Sequence, residues 1–325
     1  MLVEVSYCAV AVGELLVSSG ARQEYTGTVE SFMYPHTLGF QGVGSIVDVG
    51  PGVSRERLGQ QVTINGVLGC GDCEQCRRGA ENRCRAHALL GLDSGYPGCL
   101  AEFVAVPERN THLWPRHLHA SLAPFVSELA TMAHVIRRID CGPGEDVAVL
   151  GAGQTGLLGV AAAINAGADR VISIDVDPQR LDLARRLGAH TTIDARKVDP
   201  VSAVRELTGE GVSRAIEVVG STQTVAQTIR LLAPRGVGAL VGTGRDIVLD
   251  LPDYERVVSK EISLRGCLGK TNREYGLALS WVADGRLDLS VLPVEVYPLA
   301  RFQDAWRAAE RREGTRVVIQ IKNGA

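Results

Sequence analysis

The chain of 325 residues has no long hydrophobic run and no cluster of basic residues. Its longest apolar stretches, such as residues 157–163, are far too short to span a bilayer. The formal net charge is −3, so binding to nucleic acid or to a membrane surface has no electrostatic support. The sequence also shows no basic segment followed by an apolar signal region, from which we expect a cytoplasmic protein that acts on a small molecule.

The remaining composition is typical of a globular α/β protein. Hydrophobic residues make up 45% of the chain and charged residues 22%, and the length is sufficient for two domains that each bury a core. From about residue 144, buried-type strands such as 146–150 and 171–175 alternate strictly with helical stretches. This alternation predicts a parallel, doubly wound sheet. Up to about residue 125, short alternating runs separated by turns predict further strands.

A glycine-rich turn lies between the first of these buried strands and the helical run that follows it. It reads Gly151-Ala152-Gly153-Gln154-Thr155-Gly156 and fits the pattern G-x-G-x-x-G. The first glycine permits a tight turn, the second lets the backbone approach a pyrophosphate, and the third allows helix and strand to pack closely. A lone match can occur by chance in a glycine-rich chain, but the strand before it and the helix after it favour a dinucleotide site. We also count Gly242 among the cofactor-binding residues.

Asp175 ends the second strand, 24 residues after the start of the turn. A carboxylate at this place accepts hydrogen bonds from the adenosine ribose and repels a 2′-phosphate. The next residues, Val176 and Asp177, supply no cation for such a phosphate. These features favour NAD(H) over NADP(H), although the side chain of Arg180 could still turn toward a phosphate.

Eight cysteines are unevenly distributed, and four of them fall within fifteen residues. The spacing is Cys70-x2-Cys73-x2-Cys76-x7-Cys84, which in a large intracellular chain indicates metal rather than disulfides. Four thiolates suit tetrahedral Zn²⁺, and a closed shell with no position for water makes such a site structural. An iron–sulfur cluster is the competing interpretation, but the proline that commonly follows the last cysteine is replaced by Arg85.

These features occur in an order that resembles the medium-chain dehydrogenase/reductase superfamily, and within it the zinc-type alcohol, polyol and threonine dehydrogenases. The resemblance covers essentially the whole chain and includes Gly50-Pro51-Gly52-Val53, residues 101–107 and Glu217-Val218-Val219-Gly220. It implies a mainly β GroES-like catalytic domain at residues 1–127 and 268–325 and a Rossmann NAD-binding domain at residues 128–267. It also implies a homodimer paired through the sheet edge near residues 262–266, with a tetramer as the alternative.

The chain departs from this family at a second zinc, the one used in catalysis. The resemblance places Ala11, Phe40 and Ser127 at the positions of its three ligands, and Gln41 at that of a neighbouring acid. Ala and Phe have no lone pair for a cation, and a lone Ser is a poor zinc ligand. We therefore expect one structural zinc and no catalytic zinc, so that no metal is present to polarise a carbonyl.

The absence of this metal limits the reactions that remain. An iminium or a conjugated C=C bond is already electrophilic, so its reduction with NAD(H) is the predicted reaction. A zinc-independent alcohol or carbonyl dehydrogenase is the first alternative. A redox-neutral enzyme that catalyses elimination or cyclisation, and an inactive nucleotide-binding paralogue, are two others.

Three polar residues are expected near the emptied zinc pocket and are candidates for proton handling or substrate anchoring: Glu14, Gln41 and Ser127. Each has a plain structural alternative. Glu14 is equally consistent with a solvated acid at a helix start, Gln41 is restricted to hydrogen bonding, and Ser127 is equally consistent with a helix cap. His36 could border the pocket, whereas Cys8 is expected to be a small packed residue.

Overall fold

Two compact units make up the chain. The computed structural model describes residues 1–20, 34–244, 247–311 and 316–322. Unit 1 comprises Met1–Ala130, Gly269–Gly285 and Leu292–Ala325, and unit 2 comprises Thr131–Leu268 and Arg286–Val291. The predicted fold class, a mainly β domain with a doubly wound α/β domain, is confirmed. Within the described ranges, no helix is long and apolar enough to cross a membrane.

Short strands dominate the first third of the chain, and strands alternate with helices after it. The strands are β1 (Leu2–Val10), β2 (Gly42–Asp48), β3 (Gln61–Ile64), β4 (Val67–Leu68), β5 (Ala88–Leu89), β6 (Phe103–Ala105), β7 (Thr111–Leu113), β8 (Asp146–Leu150), β9 (Arg170–Asp175), β10 (Thr191–Asp194), β11 (Val212–Glu217), β12 (Leu232–Leu240), β13 (Ser263–Gly266), β14 (Val294–Pro298) and β15 (Arg316–Gln320). The helices are α1 (Val12–Ser18), α2 (Glu74–Arg77), α3 (Phe125–Arg138), α4 (Gln154–Asn165), α5 (Pro178–Arg186), α6 (Pro200–Thr208), α7 (Thr222–Leu231), α8 (Leu251–Ser259), α9 (Asn272–Ala283) and α10 (Phe302–Arg311).

The main sheet of unit 1 has the strand order β14-β15-β1-β2-β3-β7, and β6 also pairs with β1. Only β14 and β15 pair in parallel; the other pairs in this sheet are antiparallel. Val3, Val5 and Ile46 are at most 1% exposed and anchor its core. Because β15 pairs with β1 in the register Val10↔Val317, residues near the end of the chain lie beside those that follow β1.

The sheet of unit 2 is wholly parallel, with the strand order β10-β9-β8-β11-β12-β13. Counted from β8, this is the order 3-2-1-4-5-6 of a doubly wound dinucleotide-binding sheet. Residues 147–150 of β8 are buried, as expected for strands that helices cover on both faces. In such sheets ligands bind at the carboxyl ends of the strands, where the order reverses between β8 and β11.

Local sequence signals set the ends of α5. The carboxylate of Asp177 accepts the N–H of Gln179 at 2.9 Å, and Pro178 occupies the first helical turn. Gly188 follows the helix with a φ of +99°, a left-handed conformation that favours glycine at a helix end. The sequence predicts a helix that starts at Asp177-Pro178 and is ended by Gly188, and this prediction is confirmed.

One predicted strand has different bounds. The sequence predicts a strand over 215–219, whereas β11 ends at Glu217. The Glu217 carboxylate accepts the N–H groups of Val219 and Gly220, both at 2.8 Å, which turns the chain away from the sheet. Val218 and Val219 therefore lie in a loop after β11, where the buried Glu217 carboxylate accepts backbone N–H groups.

Substitution of Ile172 by Ala tests the core of unit 2. Ile172 lies in the middle of β9 and is fully buried, so the change should lower the free energy of unfolding by about 2–5 kcal/mol through lost packing. Val176 lies just past the same strand and is 53% exposed. Its substitution by Ala is the matched control, with an expected change within about 0.5 kcal/mol. Urea unfolding followed by circular dichroism measures both, and equal losses would contradict the assigned core.

Candidate functional site

The glycine turn connects β8 to α4 in unit 2. The N–H of Gly151 donates to the carbonyl of Ile174 at 2.8 Å, and Gly151 has a φ of +96°. A Cβ on Gly156 would lie 1.8 Å from the carbonyl oxygen of Gly151, so helix and turn can approach only without side chains. A Cβ on Gly153 would meet nothing within 4 Å. The turn therefore leaves open space at the glycine that the pattern assigns to a pyrophosphate.

The first turn of α4 presents polar groups beside this space. Gln154 and Thr155 are half-buried, and Nε2 of Gln154 is buried without a hydrogen-bond partner among the described residues. No side chain caps the start of the helix, so the N–H groups of its first turn are available to an anion. A buried donor without a protein partner and an uncapped helix start both fit the phosphates of a dinucleotide.

Asp175 lies at the end of β9 and is 9% exposed. Its carboxylate accepts the N–H of Ala152 at 2.5 Å and that of Asp177 at 2.8 Å, which fixes it beside the glycine turn. Arg180 lies 3.6 Å from the Asp177 carboxylate in an ion pair. The place expected to meet the adenosine ribose is therefore occupied by a fixed anion, and the nearby cation has an acidic partner.

Gly242 follows β12, at the same edge of the sheet as the glycine turn. Its N–H donates to the carbonyl of Glu217 at 3.0 Å. A Cβ at this position would lie 2.2 Å from the backbone nitrogen of Gly220. The close approach of the loops after β11 and β12 thus requires glycine here, whether or not a cofactor contacts it.

The four clustered cysteines converge in the lobe of residues 70–84. Their sulfur atoms all lie within 4.8 Å of one another, with Cys70 and Cys76 at 3.9 Å and Cys73 and Cys84 at 3.8 Å. Tetrahedral zinc at about 2.3 Å from each sulfur would space the sulfurs about 3.8 Å apart. Backbone N–H donors, that of Asp72 foremost, lower the pKa of the Cys70 thiol and favour its thiolate. The arrangement of the four sulfurs therefore fits a zinc ion.

Glu81 joins this lobe to the rest of unit 1. Its Oε1 accepts the N–H of Asn272, the first residue of α9, at 2.8 Å. Oδ1 of Asn272 in turn accepts a hydrogen bond from Nδ2 of Asn65 at 2.9 Å. The hydroxyl of Tyr275, one turn further along α9, lies 2.8 Å from Oγ1 of Thr63 on β3. The start of α9 is thus held by both the lobe and the main sheet.

Glu14 is buried, with 1% of its surface exposed. Its carboxylate accepts the N–H of Ala11 at 3.0 Å and that of Phe40 at 2.8 Å, so it ties the start of α1 to the segment before β2. Burial raises the pKa of this carboxyl. The alternative of a solvated helix-start acid is wrong, because the side chain satisfies two backbone donors in the interior.

Gln41 belongs to a buried polar cluster with Glu128 and Arg316. Its Nε2 donates to Glu128 at 2.8 Å, and its Oε1 accepts from Nη1 of Arg316 at 2.8 Å. Nη2 of Arg316 lies 2.6 Å from Oε2 of Glu128, and the guanidinium packs over the ring of Phe125, 5.3 Å from its centroid. All polar atoms of the Gln41 side chain are therefore engaged with this ion pair.

Ser127 contacts a buried lysine. Nζ of Lys270 donates to Oγ of Ser127 at 2.6 Å and lies 4.5 Å from the centroid of the Phe40 ring. Ser127 and Lys270 are 1% and 4% exposed. Burial lowers the pKa of the Lys270 ammonium to about 8. Ser127 lies in the first turn of α3. It was expected to be a helix cap or a catalytic residue, and its hydroxyl is the hydrogen-bond partner of the Lys270 ammonium.

The three residues aligned with zinc ligands lie close together, but their side chains do not form a set of metal ligands. Ala11 and Phe40 both donate N–H groups to Glu14, and Phe40 and Ser127 both contact Lys270. Within the described ranges, only the four cysteines form a group of His, Cys, Asp or Glu side chains arranged to hold a metal ion.

Sequence reasoning did not identify Lys270, Arg316 or Glu128 as residues of the site. Arg316 is 2% exposed and directly precedes three apolar residues of β15. A charged residue at the start of this apolar run was its one signal in the sequence. Lys270 follows Gly269 in a short polar segment that carries no motif. Among the other candidates, Cys8 is fully buried in β1, as a packed residue would be, and His36 is half-buried.

Substitution of Glu14 by Gln tests its structural role. The amide keeps the shape but replaces one acceptor by a donor that faces a backbone N–H, so the free energy of unfolding should fall by about 1–3 kcal/mol. Glu310 is exposed on α10, and its substitution by Gln is the control. Thermal and urea unfolding measure both variants. An unchanged stability of the Glu14 variant would contradict the two backbone contacts.

Comparison with known proteins places this architecture in a family. Residues 1–116 match the family model described as alcohol dehydrogenase GroES-like domain, and residues 155–284 match that described as zinc-binding dehydrogenase. L-threonine 3-dehydrogenase of Sinorhizobium medicae (strain WSM419) is 31% identical over 289 residues, which cover 88% of this chain and 82% of the relative. Probable D-xylulose reductase A of Arthroderma otae is 29% identical, over 89% of this chain and 82% of the relative.

The solved structures agree with these relatives. Alcohol dehydrogenase TADH from Thermus sp. ATN1 superposes with a TM-score of 0.89 and 27% identity, covering 99% of this chain and 92% of that chain. One assignment follows from the two family models, the order of the elements and relatives that are matched over 82% of their length. The chain belongs to the zinc-binding dehydrogenases of the medium-chain dehydrogenase/reductase superfamily, and it is an NAD(P)-dependent oxidoreductase.

Proposed function

We propose that the protein transfers a hydride between NAD(H) and a small-molecule substrate without a catalytic zinc ion. The observation that carries this proposal is the set of residues at the three aligned ligand positions. Ala11 and Phe40 have no ligand atom in their side chains, and the hydroxyl of Ser127 accepts a hydrogen bond from a lysine ammonium. The side chains of these three residues would offer a divalent cation no thiolate and no imidazole.

The nucleotide is assigned to unit 2. The space at Gly153, the partnerless amide of Gln154 and the uncapped start of α4 support binding of the pyrophosphate. Asp175, fixed by two backbone N–H groups, would accept hydrogen bonds from the ribose and repel a 2′-phosphate. Because Arg180 is paired with Asp177, NAD(H) is preferred over NADP(H). When bound, the nicotinamide would supply or accept the hydride.

The cysteine lobe is assigned a structural zinc. Its four sulfurs would complete a tetrahedral shell and leave no position for water or substrate. The lobe also supports α9 through Glu81, so its metal would maintain the fold rather than take part in the reaction.

Two reaction types remain for a hydride transfer without a catalytic metal. An iminium or conjugated C=C bond is electrophilic by itself, whereas a carbonyl or alcohol needs a protein group that stabilises charge on oxygen. The relatives act on hydroxyl and keto compounds by their names, L-threonine 3-dehydrogenase and probable D-xylulose reductase among them. A redox-neutral reaction and a binding-only paralogue are the outcomes that would overturn the proposal.

Zinc stoichiometry tests the metal assignment. We expect one zinc per chain in protein purified without added metal, measured by elemental mass spectrometry. The Cys73→Ser variant should lose this zinc and unfold at a lower temperature, because metal binding is coupled to folding of the lobe. Cys141 lies outside the cluster, and Cys141→Ser should retain one zinc.

Two zinc ions per wild-type chain would contradict a metal-free reaction site. The redox proposal itself is tested by following NADH absorbance with and without carbonyl, conjugated and iminium compounds. Consumption that depends on the added compound supports a reductase, and conversion without net consumption would overturn it.

The cofactor preference is tested at Asp175. The Asp175→Asn variant removes the charge but keeps one acceptor, so NADH should bind about tenfold more weakly while NADPH is affected less. Asp182 is exposed on α5, and Asp182→Asn should leave both affinities unchanged. Fluorescence titration measures the dissociation constants. Tighter binding of NADPH than NADH by the wild-type protein would show the assignment to be wrong.

A further inference from the structure

A lysine ammonium lies where the resemblance places two of the three ligands of a catalytic zinc. Nζ of Lys270 is 2.6 Å from Oγ of Ser127 and 4.5 Å from the centroid of the Phe40 ring. These two residues occupy the aligned ligand positions, and both now contact one positive charge. A cation is thus retained at this place, although its chemical nature has changed.

The backbone around Lys270 is firmly held. The next residue, Thr271, forms a capping box with Glu274, whose Oε2 accepts from the Thr271 backbone N–H at 2.8 Å and from its hydroxyl at 2.7 Å. Asn272 is fixed in turn by Glu81 of the cysteine lobe. The ammonium therefore extends from a rigid start of α9.

Among the described residues, Lys270 has no acidic hydrogen-bond partner of the kind that a buried ammonium normally has. Burial of a charge is unfavourable unless it is paired and hydrogen-bonded, yet Ser127 is the one hydrogen-bond partner of Nζ among the described residues. The nearby Glu128 carboxylate is engaged with Gln41 and Arg316. Since an ammonium has three donor hydrogens, two remain for a further acceptor.

The charged groups that act on Nζ are Glu128 on α3 and Arg316 on β15. Glu128 favours the ammonium and Arg316 opposes it, but burial has the largest effect and lowers the pKa of Lys270 to about 8. An amine in this range is protonated near neutral pH and can also release its proton, as general acid catalysis requires.

We propose that the ammonium of Lys270 replaces the catalytic metal as the group that hydrogen-bonds and protonates the substrate oxygen. Ser127 and Phe40 position this ammonium. The substrate is therefore a carbonyl compound (a ketone, an aldehyde or a conjugated enone) rather than an iminium. This inference rests on the proposed hydride transfer with NAD(H) and selects among its substrates. It makes Lys270 a catalytic residue and Ser127 a positioning residue.

The proposed step transfers one hydride and one proton to the substrate. A hydride from the reduced cofactor forms a C–H bond at the carbonyl carbon, or at the β-carbon of an enone, and the cofactor is oxidised. The electron pair of the C=O bond moves to oxygen, directly or through the conjugated C=C bond. The oxygen takes the proton that Nζ of Lys270 releases, and water returns a proton to the neutral amine. The product is an alcohol, or an enol that tautomerises to the saturated ketone.

The same charges disfavour the iminium. Of the two charged groups that act on Nζ, Arg316 repels it and Glu128 attracts it, and Glu128 is already paired with Arg316. A cationic substrate would approach an unpaired ammonium in a medium of low dielectric, where like charges repel strongly. A carbonyl oxygen, by contrast, supplies the acceptor that the two remaining N–H groups lack.

The test uses the Lys270→Ala variant, with 2-cyclohexenone and cyclohexanone as carbonyl probes and 1-pyrroline as the iminium probe. Loss of the acid should lower kcat/KM for the carbonyl probes by about 100-fold or more, without change in zinc content or in the dissociation constant of NADH. Propylamine matches the three carbons and the nitrogen that the substitution removes, and its addition should restore activity. The exposed Lys260 provides the control, Lys260→Ala.

A pH profile and a second variant separate chemistry from structure. In the wild-type protein kcat should fall above a pH of about 8, as the ammonium loses its proton. In Lys270→Arg this decline should disappear, because a guanidinium keeps its charge, and the rate should be lower throughout. A purely structural lysine would give the same profile in both proteins and no rescue by propylamine.

Several outcomes would overturn the inference. One is a Lys270→Ala variant whose kcat/KM for the carbonyl probes stays within about threefold of the wild-type value, because general acid catalysis contributes far more than this. Preference of the wild-type protein for 1-pyrroline, or failure to bind or reduce any carbonyl probe, is another. Failure of the proposed function is distinguishable from these results, because it would appear in the wild-type protein as no NADH binding or as a second zinc.

Discussion

The interior of unit 1 depends on the compensation of charges that are removed from water. The Glu14 carboxylate is compensated by two backbone N–H groups, and Arg316 by Glu128 and Gln41. Apart from the local contact of Glu14 with Ala11, these contacts join segments that are distant in the chain, so the polar interior also fixes how the segments meet. Lys270 is the exception, since a hydroxyl and an aromatic face stabilise an ammonium far less than a carboxylate would.

The proposed replacement of a divalent ion by an ammonium would change the chemistry as well as the charge. A zinc ion polarises oxygen without releasing a proton and functions over a broad pH range. An amine donates its own proton, so its contribution is confined to the pH range in which it is charged. Unlike a zinc ion, an ammonium needs no set of protein ligands. This is consistent with the apolar Ala11 and Phe40 at the positions aligned with zinc ligands.

Much of this organisation could be predicted from the sequence, and the remainder has a physical reason. The doubly wound sheet and the ends of α5 follow from periodicity, glycine and capping residues, all of which act within a few positions. The convergence of the four cysteines is also local, within fifteen residues. By contrast, the contact of Lys270 with Ser127 spans 143 residues and that of Arg316 with Gln41 spans 275. No spacing rule connects residues so distant.

The hydrogen bond from Asn272 to Glu81 gives the cysteine lobe a meaning beyond its own stability. It connects the lobe to the segment that carries the lysine amine, while the glycine turn belongs to unit 2. Removal of a metal from the lobe would then disturb the position of the amine more directly than that of the turn. A zinc ion that never meets the substrate would thereby influence turnover more than capture of the dinucleotide.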